Sequence, residues 1–249
     1  MAASTTSPAP GTGAPALEIA GLHFRYGDRG FELKVPSFTL ARGEEMLLVG
    51  QSGCGKSTLL QLIAGLIDPT SGTVRVAGQD MHALRGAARD RFRGRSVGMV
   101  FQTFNLLHGF SARENVLVAL LMSDTPRSEW SARADALLAS LGIERVDALA
   151  EELSVGQQQR VAVARALACR PALVLADEPT ASLDPENAAN AVRVLRDACR
   201  AQGAALLVVS HDPSLEPHFA RRERLAGAAP RQHAGLAGDG GPIHGAHAP

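Results

Sequence analysis

Gly50-Gln51-Ser52-Gly53-Cys54-Gly55-Lys56-Ser57 decides the fold of this chain, because of what stands on either side of it. The apolar run 46–49 before it reads as a strand, and residues 56–66 after it carry apolar side chains at helical spacing. The stretch matches G-x-x-x-x-G-K-[ST], in which glycines let backbone N–H groups wrap around a phosphate where a strand hands over to a helix. That geometry makes Gly50, Ser52, Gly53, Cys54, Gly55, Lys56, Ser57 and Thr58 a phosphate cradle, with the Lys56 ammonium at the β/γ oxygens and the Ser57 hydroxyl on Mg²⁺. Lysine is scarce here, with Lys34 and Lys56 standing against 23 arginines. One of the two therefore stands where a compact ammonium enters a narrow anion site that a planar guanidinium fits poorly. Lys34, on a strand-like run, is expected on a solvated face.

Working outward, further strand-like runs lie at 17–20, 31–40, 73–77, 97–101, 172–176 and 204–209, and helical spacing recurs at 112–122, 129–141, 155–168 and 186–202. Strand, helix, strand in succession predicts an α/β fold with a mainly parallel sheet. Residues 103–153 interrupt the alternation with helical patterns alone and are expected to form a helical insertion. The main domain is expected over 17–225, between a disordered Ser/Thr/Pro/Ala-rich segment at 1–16 and a flexible Gly/Ala/Pro/His-rich tail at 226–249.

A second chemical feature is Leu173-Val174-Leu175-Ala176-Asp177-Glu178, an apolar strand ending in two acids. Ligands of parallel α/β sheets sit at carboxyl-terminal strand ends. Asp177 there suits Mg²⁺, and Glu178 suits polarisation of an attacking water.

Between these two lies Leu153-Ser154-Val155-Gly156-Gln157-Gln158-Gln159-Arg160. Ser154 and Gln157 form a capping-box pattern, which starts a helix and makes its N-terminus an anion site. Together with the phosphate loop this segment resembles the signature of ATP-binding-cassette (ABC) ATPases, over about residues 17–225. The resemblance implies a phosphate-loop ATPase core with an N-terminal antiparallel β region and an inserted helical subdomain. It also implies roles for single residues. Ser154, Gly156 and Gln157 would contact ATP bound to an opposite subunit. Gln102 would sense Mg²⁺ and the attacking water, His211 would contact the γ-phosphate, and Tyr26, the only tyrosine, would stack on adenine. Ser182-Leu183-Asp184 falls at the family's dimer-contact loop. Val155 departs from the commonest signature, which has Gly there, and a β-branched residue is expected to restrict that turn.

For a chain with one cradle and one signature, the resemblance implies head-to-tail pairing around ATP and Mg²⁺, with the insertion gripping separate membrane permease subunits. The segments Phe101-Gln102-Thr103-Phe104-Asn105-Leu106-Leu107 and Arg113-Glu114-Asn115-Val116 look most like the lipoprotein-release and macrolide-efflux group. Asp184-Pro185-Glu186 also occurs in importers such as those for amino acids, and a soluble ABC ATPase acting on DNA or ribosomes is a further alternative.

Composition bounds these readings. The 249 residues carry 25 basic and 25 acidic side chains, so net charge gives no case for a nucleic-acid partner. The longest apolar run, 116–122, is far short of the roughly 20 residues that cross a bilayer. With no secretory pattern at the start, the expected location is cytoplasmic, peripheral on the membrane's inner face. Cys54, Cys169 and Cys199 have no ligand-like spacing and read as reduced thiols. His233, His244 and His247 form no rigid metal pattern, and Arg221, Arg222 and Arg224 read as a solvated helix end.

Overall fold

The computed structural model describes residues 13–27, 30–181, 183 and 185–225. The expected tail with His233, His244 and His247, most of the expected N-terminal segment, and Ser182 and Asp184 lie outside the described residues.

In chain order the elements are β1 (Leu17–Arg25), β2 (Glu32–Leu40), β3 (Glu45–Val49), α1 (Lys56–Ile63), β4 (Ser71–Val76), β5 (Gln79–Asp80), α2 (Gly86–Ser96) and β6 (Val97–Val100). There follow α3 (Ala112–Leu120), α4 (Trp130–Ser140), α5 (Val155–Leu167), β7 (Leu173–Asp177), α6 (Pro185–Gln202), β8 (Ala205–Ser210) and β9 (Arg221–Arg224). Two sheets form: an antiparallel one in the order β2-β1-β4-β5, and a parallel one in the order β6-β7-β8-β3-β9. This is the mixed α/β fold expected, with the antiparallel region on its N-terminal side.

Near-continuous apolar runs make β3, β7 and β8 because both faces of the parallel sheet are covered. Alternation along each strand assigns the faces. Leu47, Val174, Ala176, Leu206 and Val208 join a core with α3, α4, α5 and α6. Met46, Leu48, Leu173, Leu175, Leu207 and Val209 join another with α1 and the antiparallel sheet. The parallel sheet is thus the middle layer of three.

Two elements differ from expectation. Residues 221–224 form β9, parallel to β3, rather than a solvated helix end. The ladder holds it, and Arg221 donates to the Thr39 carbonyl (2.7 Å) and to Glu44 Oε1 (2.9 Å). The helix α2 has no apolar periodicity to reveal it, since none of its residues is buried. It is held by Phe92, half-buried against the core of α1 and the antiparallel sheet, and by arginines: Arg89 pairs with Asp68 at 2.9 Å, and Arg95 with Asp124 at 2.7 Å.

Among the described residues, no helix is long and apolar enough to cross a membrane.

Candidate active site

Parallel pairing brings four strand ends to one edge. Val49 lies opposite Ser210, Asp177 opposite Val209, and Val100 opposite Ala176. The residues that follow these ends converge on a cleft of about 460 Å³ lined by Tyr26, Ser52, Gly53, Gly55, Lys56, Ser57, Thr58, Gln102, Asp177, Glu178 and His211. Motifs up to 161 residues apart in sequence, from Gly50 to His211, therefore meet through the sheet's strand order rather than through local chain geometry.

The cradle is built by its glycines. Gly53 and Gly55 take left-handed backbone, with φ 78° and 103°. A Cβ on Gly55 would stand 2.5 Å from Phe31 Cζ, so the aromatic ring of Phe31 presses directly on the loop. Phe31 also lines the cleft beside Tyr26. The sequence predicts Phe31 only as the first residue of a strand. Tyr26 is half exposed and meets Phe24 edge-on at 4.6 Å. A flat partner could lie against these rings.

Two members of the expected cradle do not line the cleft. The Cys54 side chain is buried, and a Cβ on Gly50 would stand 2.5 Å from its sulfur. The Cys54 N–H donates to the Gln51 carbonyl at 3.2 Å, closing the turn from within. Gly50 and Cys54 therefore shape the loop from beneath.

Lys56 is buried, and its ammonium donates to the Gly50 carbonyl at 2.8 Å and the Gln51 carbonyl at 3.2 Å, and lies 3.3 Å from Glu178 Oε1. Glu178 takes left-handed backbone, φ 46°, which turns its carboxylate back across the end of β8. There Oε2 accepts from Ser210 Oγ (2.8 Å) and the His211 N–H (3.3 Å), while Oε1 lies 2.8 Å from His211 Nδ1. Burial pushes the Glu178 carboxyl up, but the bonds from His211 and Ser210 and the Lys56 charge outweigh it and hold the group below its ordinary range. Glu178 is ionised at neutral pH. Ser210, which the sequence marks only as a strand end, fixes it.

Asp177 behaves oppositely. Burial, with repulsion from Glu178, raises its carboxyl above the ordinary range despite a bond from Ser57 and the Lys56 charge. Its Oδ1 is the buried side-chain polar atom left without a hydrogen-bond partner among the described residues. An orphaned carboxylate oxygen beside a serine hydroxyl is a donor set that suits a hard divalent cation.

Ser154 and Gly156 lie elsewhere, lining a separate cavity of about 540 Å³ against α6. The capping box is formed: the Gln157 N–H donates to Ser154 Oγ (3.3 Å), and the Ser154 N–H to Gln157 Oε1 (2.9 Å). The Gln157 side chain is thus occupied in starting α5. Val155 stands at the first helical position with negative φ, so the β-branched residue meets no backbone conflict there. Ser154, Val155 and Gly156 are all exposed.

Known proteins resemble the chain over most of its length. The profile of the family described as ABC transporter matches residues 33–181. The lipoprotein-releasing system ATP-binding protein LolD of Geobacter metallireducens is 43% identical over 213 residues, covering 84% of this chain and 95% of that protein. Among solved structures, the ATP-binding cassette MJ0796, described as a dimer in a post-hydrolysis state bound to ADP and Pi, superposes with a TM-score of 0.71 at 31% identity, over 84% of this chain and 94% of that one. The protein cbiO1 of Clostridium perfringens, described as part of the ABC transporter complex cbiONQ, gives 0.71 at 30% identity, over 80% of this chain and 79% of that one. The family match spans residues 33–181 and a relative is 43% identical over 84% of this chain, so the chain belongs to the ABC transporter family, as an ATP-binding ATPase subunit.

Proposed function

We propose that the cleft binds ATP with Mg²⁺, and that hydrolysis proceeds within a head-to-tail pair of such chains seated on membrane permease subunits at the cytoplasmic face. The supporting observation is the division of the motifs between two surfaces: Lys56, Gln102, Asp177, Glu178 and His211 share one cleft, while exposed Ser154 and Gly156 line another. A second copy would bring its capped helix N-terminus, an anion site, to the phosphates held by the first.

Each cleft residue then has a role. Lys56 exchanges its Gly50 and Gln51 carbonyl partners for β/γ oxygens. Tyr26, with Phe31, faces the base. Ser57, Asp177 and Gln102 would hold the cation, whose chemistry is to neutralise charge on the phosphates. Glu178, ionised and fixed by Ser210 and His211, orients the attacking water and takes its proton, with His211 placed to reach the γ-phosphate. The likeness to a lipoprotein-releasing system ATP-binding protein favours release or efflux as the process this chain powers through its permease.

The test is Glu178→Gln in the full-length chain. Saturated with ATP and Mg²⁺, it should bind nucleotide, lose turnover by at least ~100-fold and elute as a dimer by light scattering. A variant that stays monomeric under saturation, alone and with its permease, or that turns over near the native rate, refutes the reading.

A further inference from the structure

The loop that carries Gln102 is held in an unfavourable shape. Phe104 and Asn105 both take left-handed backbone, with φ 57° and 48°. Two successive residues with side chains in that region persist only where the surroundings enforce it. The turn has bonds of its own: the Phe104 N–H donates to the Phe101 carbonyl (3.0 Å), and the Thr103 hydroxyl to Asn105 Oδ1 (2.8 Å). What faces the other way is Arg165. Its two terminal nitrogens donate to the Phe104 and Asn105 carbonyls, each at 2.6 Å. Burial pulls the guanidinium below its usual range, and among the described residues no carboxylate pairs with it. A largely buried fork is thus spent on two backbone oxygens.

Arg165 stands on α5, whose N-cap is Ser154 about 16 Å away along the axis. The same helix also sends the buried Gln159 amide to the Pro179 carbonyl, one residue past Glu178, at 3.0 Å. One rigid element therefore begins at the second anion surface and is bonded to both the glutamine loop and the turn after Glu178.

We propose that Arg165 is a positioning residue for Gln102: gripping the two left-handed carbonyls, it sets where the Gln102 side chain stands in the cleft and links that position to α5. The proposal rests on the reading of Gln102 as a cleft residue. Displacement of α5 from its Ser154 end drags the loop, so the glutamine is correctly placed only when the helix is.

Turnover and nucleotide affinity of the full-length chain, its Gln102→Ala, Arg165→Lys and Arg165→Ala variants and the Gln102→Ala/Arg165→Lys double variant test this. A lysine cannot span both carbonyls. Arg165→Lys should lower kcat by ~10- to 100-fold with KM little changed, and amide exchange should speed up over 101–107 while 56–63 stays protected. In the double variant the lysine should add nothing to Gln102→Ala. Full turnover in Arg165→Lys, or losses that multiply in the double variant, overturn the role of Arg165 and leave the cleft reading standing. A Gln102→Ala chain as fast as native removes the cleft reading and this proposal with it. Should Arg165→Ala fail to fold, the lysine variant and its exchange pattern decide alone.

Discussion

Asp177→Asn should stabilise the nucleotide-free protein while abolishing its response to Mg²⁺ and nucleotide. The substitution keeps shape and a Ser57 acceptor but removes a charge that burial and Glu178 both oppose. An unpartnered buried polar atom costs ~1–3 kcal/mol and a charged one more, so replacing the charged oxygen by a neutral but still unpaired NH₂ should leave a net gain of ~1 kcal/mol. In a domain of this size that raises Tm by ~2–4 °C. The ligand effect is opposite and larger. At 100 times Kd, bound nucleotide contributes ~2.7 kcal/mol, or ~5–10 °C, to the native chain, and Asp177→Asn should forfeit most of it. Differential scanning fluorimetry with and without Mg²⁺ and a non-hydrolysable ATP analogue should therefore show the two Tm values exchanging order. The pH dependence has a fixed sign. Because the folded Asp177 pKa is raised, the folded state binds more protons than the unfolded state, and the native chain recovers stability as pH falls through that raised value. The gap between variant and native should close on acidification from neutrality. A variant less stable than native without ligand, or equally stabilised by ligand, refutes the cation assignment.

Gly55→Ala must find room against Phe31 at φ 103°, so backbone strain and overpacking together should cost ~2–5 kcal/mol, and Phe31→Ala in the same chain should restore part of the Tm. Equal loss with and without Phe31 would show that the ring is not the obstacle. The three thiols should be silent to a disulfide reagent at neutral pH in the native state: Cys54 is buried under the loop, and burial pushes Cys199 up to about 12 and Cys169 to about 11. Three equivalents reacting only after denaturation is the expected titration, and one rapid equivalent in the native protein would contradict it.

Much of the site was legible because its chemistry is local in sequence. The glycines of the cradle, the acids after an apolar strand and the Ser154/Gln157 box each fit within eight residues. The strands were legible because both faces of the parallel sheet are buried, which leaves β7 and β8 almost wholly apolar. What escaped depends on distant partners. A single apolar anchor, Phe92, gives α2 no periodicity to mark it as a helix, and its arginines pair with the distant Asp68 and Asp124. The strand β9 is fixed by β3 and by Arg221's acceptors. Ser210 and Arg165 acquire roles only when β8 lies beside β7 and α5 against the loop after β6, contacts that join residues 32 and 60 apart. The spacing around Phe31 predicts only a strand, and its neighbour across the fold, Gly55, is what gives it a place in the cleft.

Charge in the cleft explains why the cradle cannot act alone. Lys56 brings one positive charge, whereas Asp177 and Glu178 bring two negative ones, and the ammonium is already shared between Glu178 and two loop carbonyls. A triphosphate entering by itself would draw Lys56 away from Glu178 and face both carboxylates. Each would resist it, Glu178 most, because bonds from Ser210 and His211 hold its charge in place. Protonation of Asp177 relieves part of this but removes the donor that the orphaned Oδ1 offers. A divalent cation entering with the phosphates meets both demands, satisfying that oxygen and reversing the local sign of the field. Anion binding here is therefore expected to be cation-linked: chelation should weaken nucleotide affinity in the native chain far more than in Asp177→Asn, where one of the repelling charges is already gone.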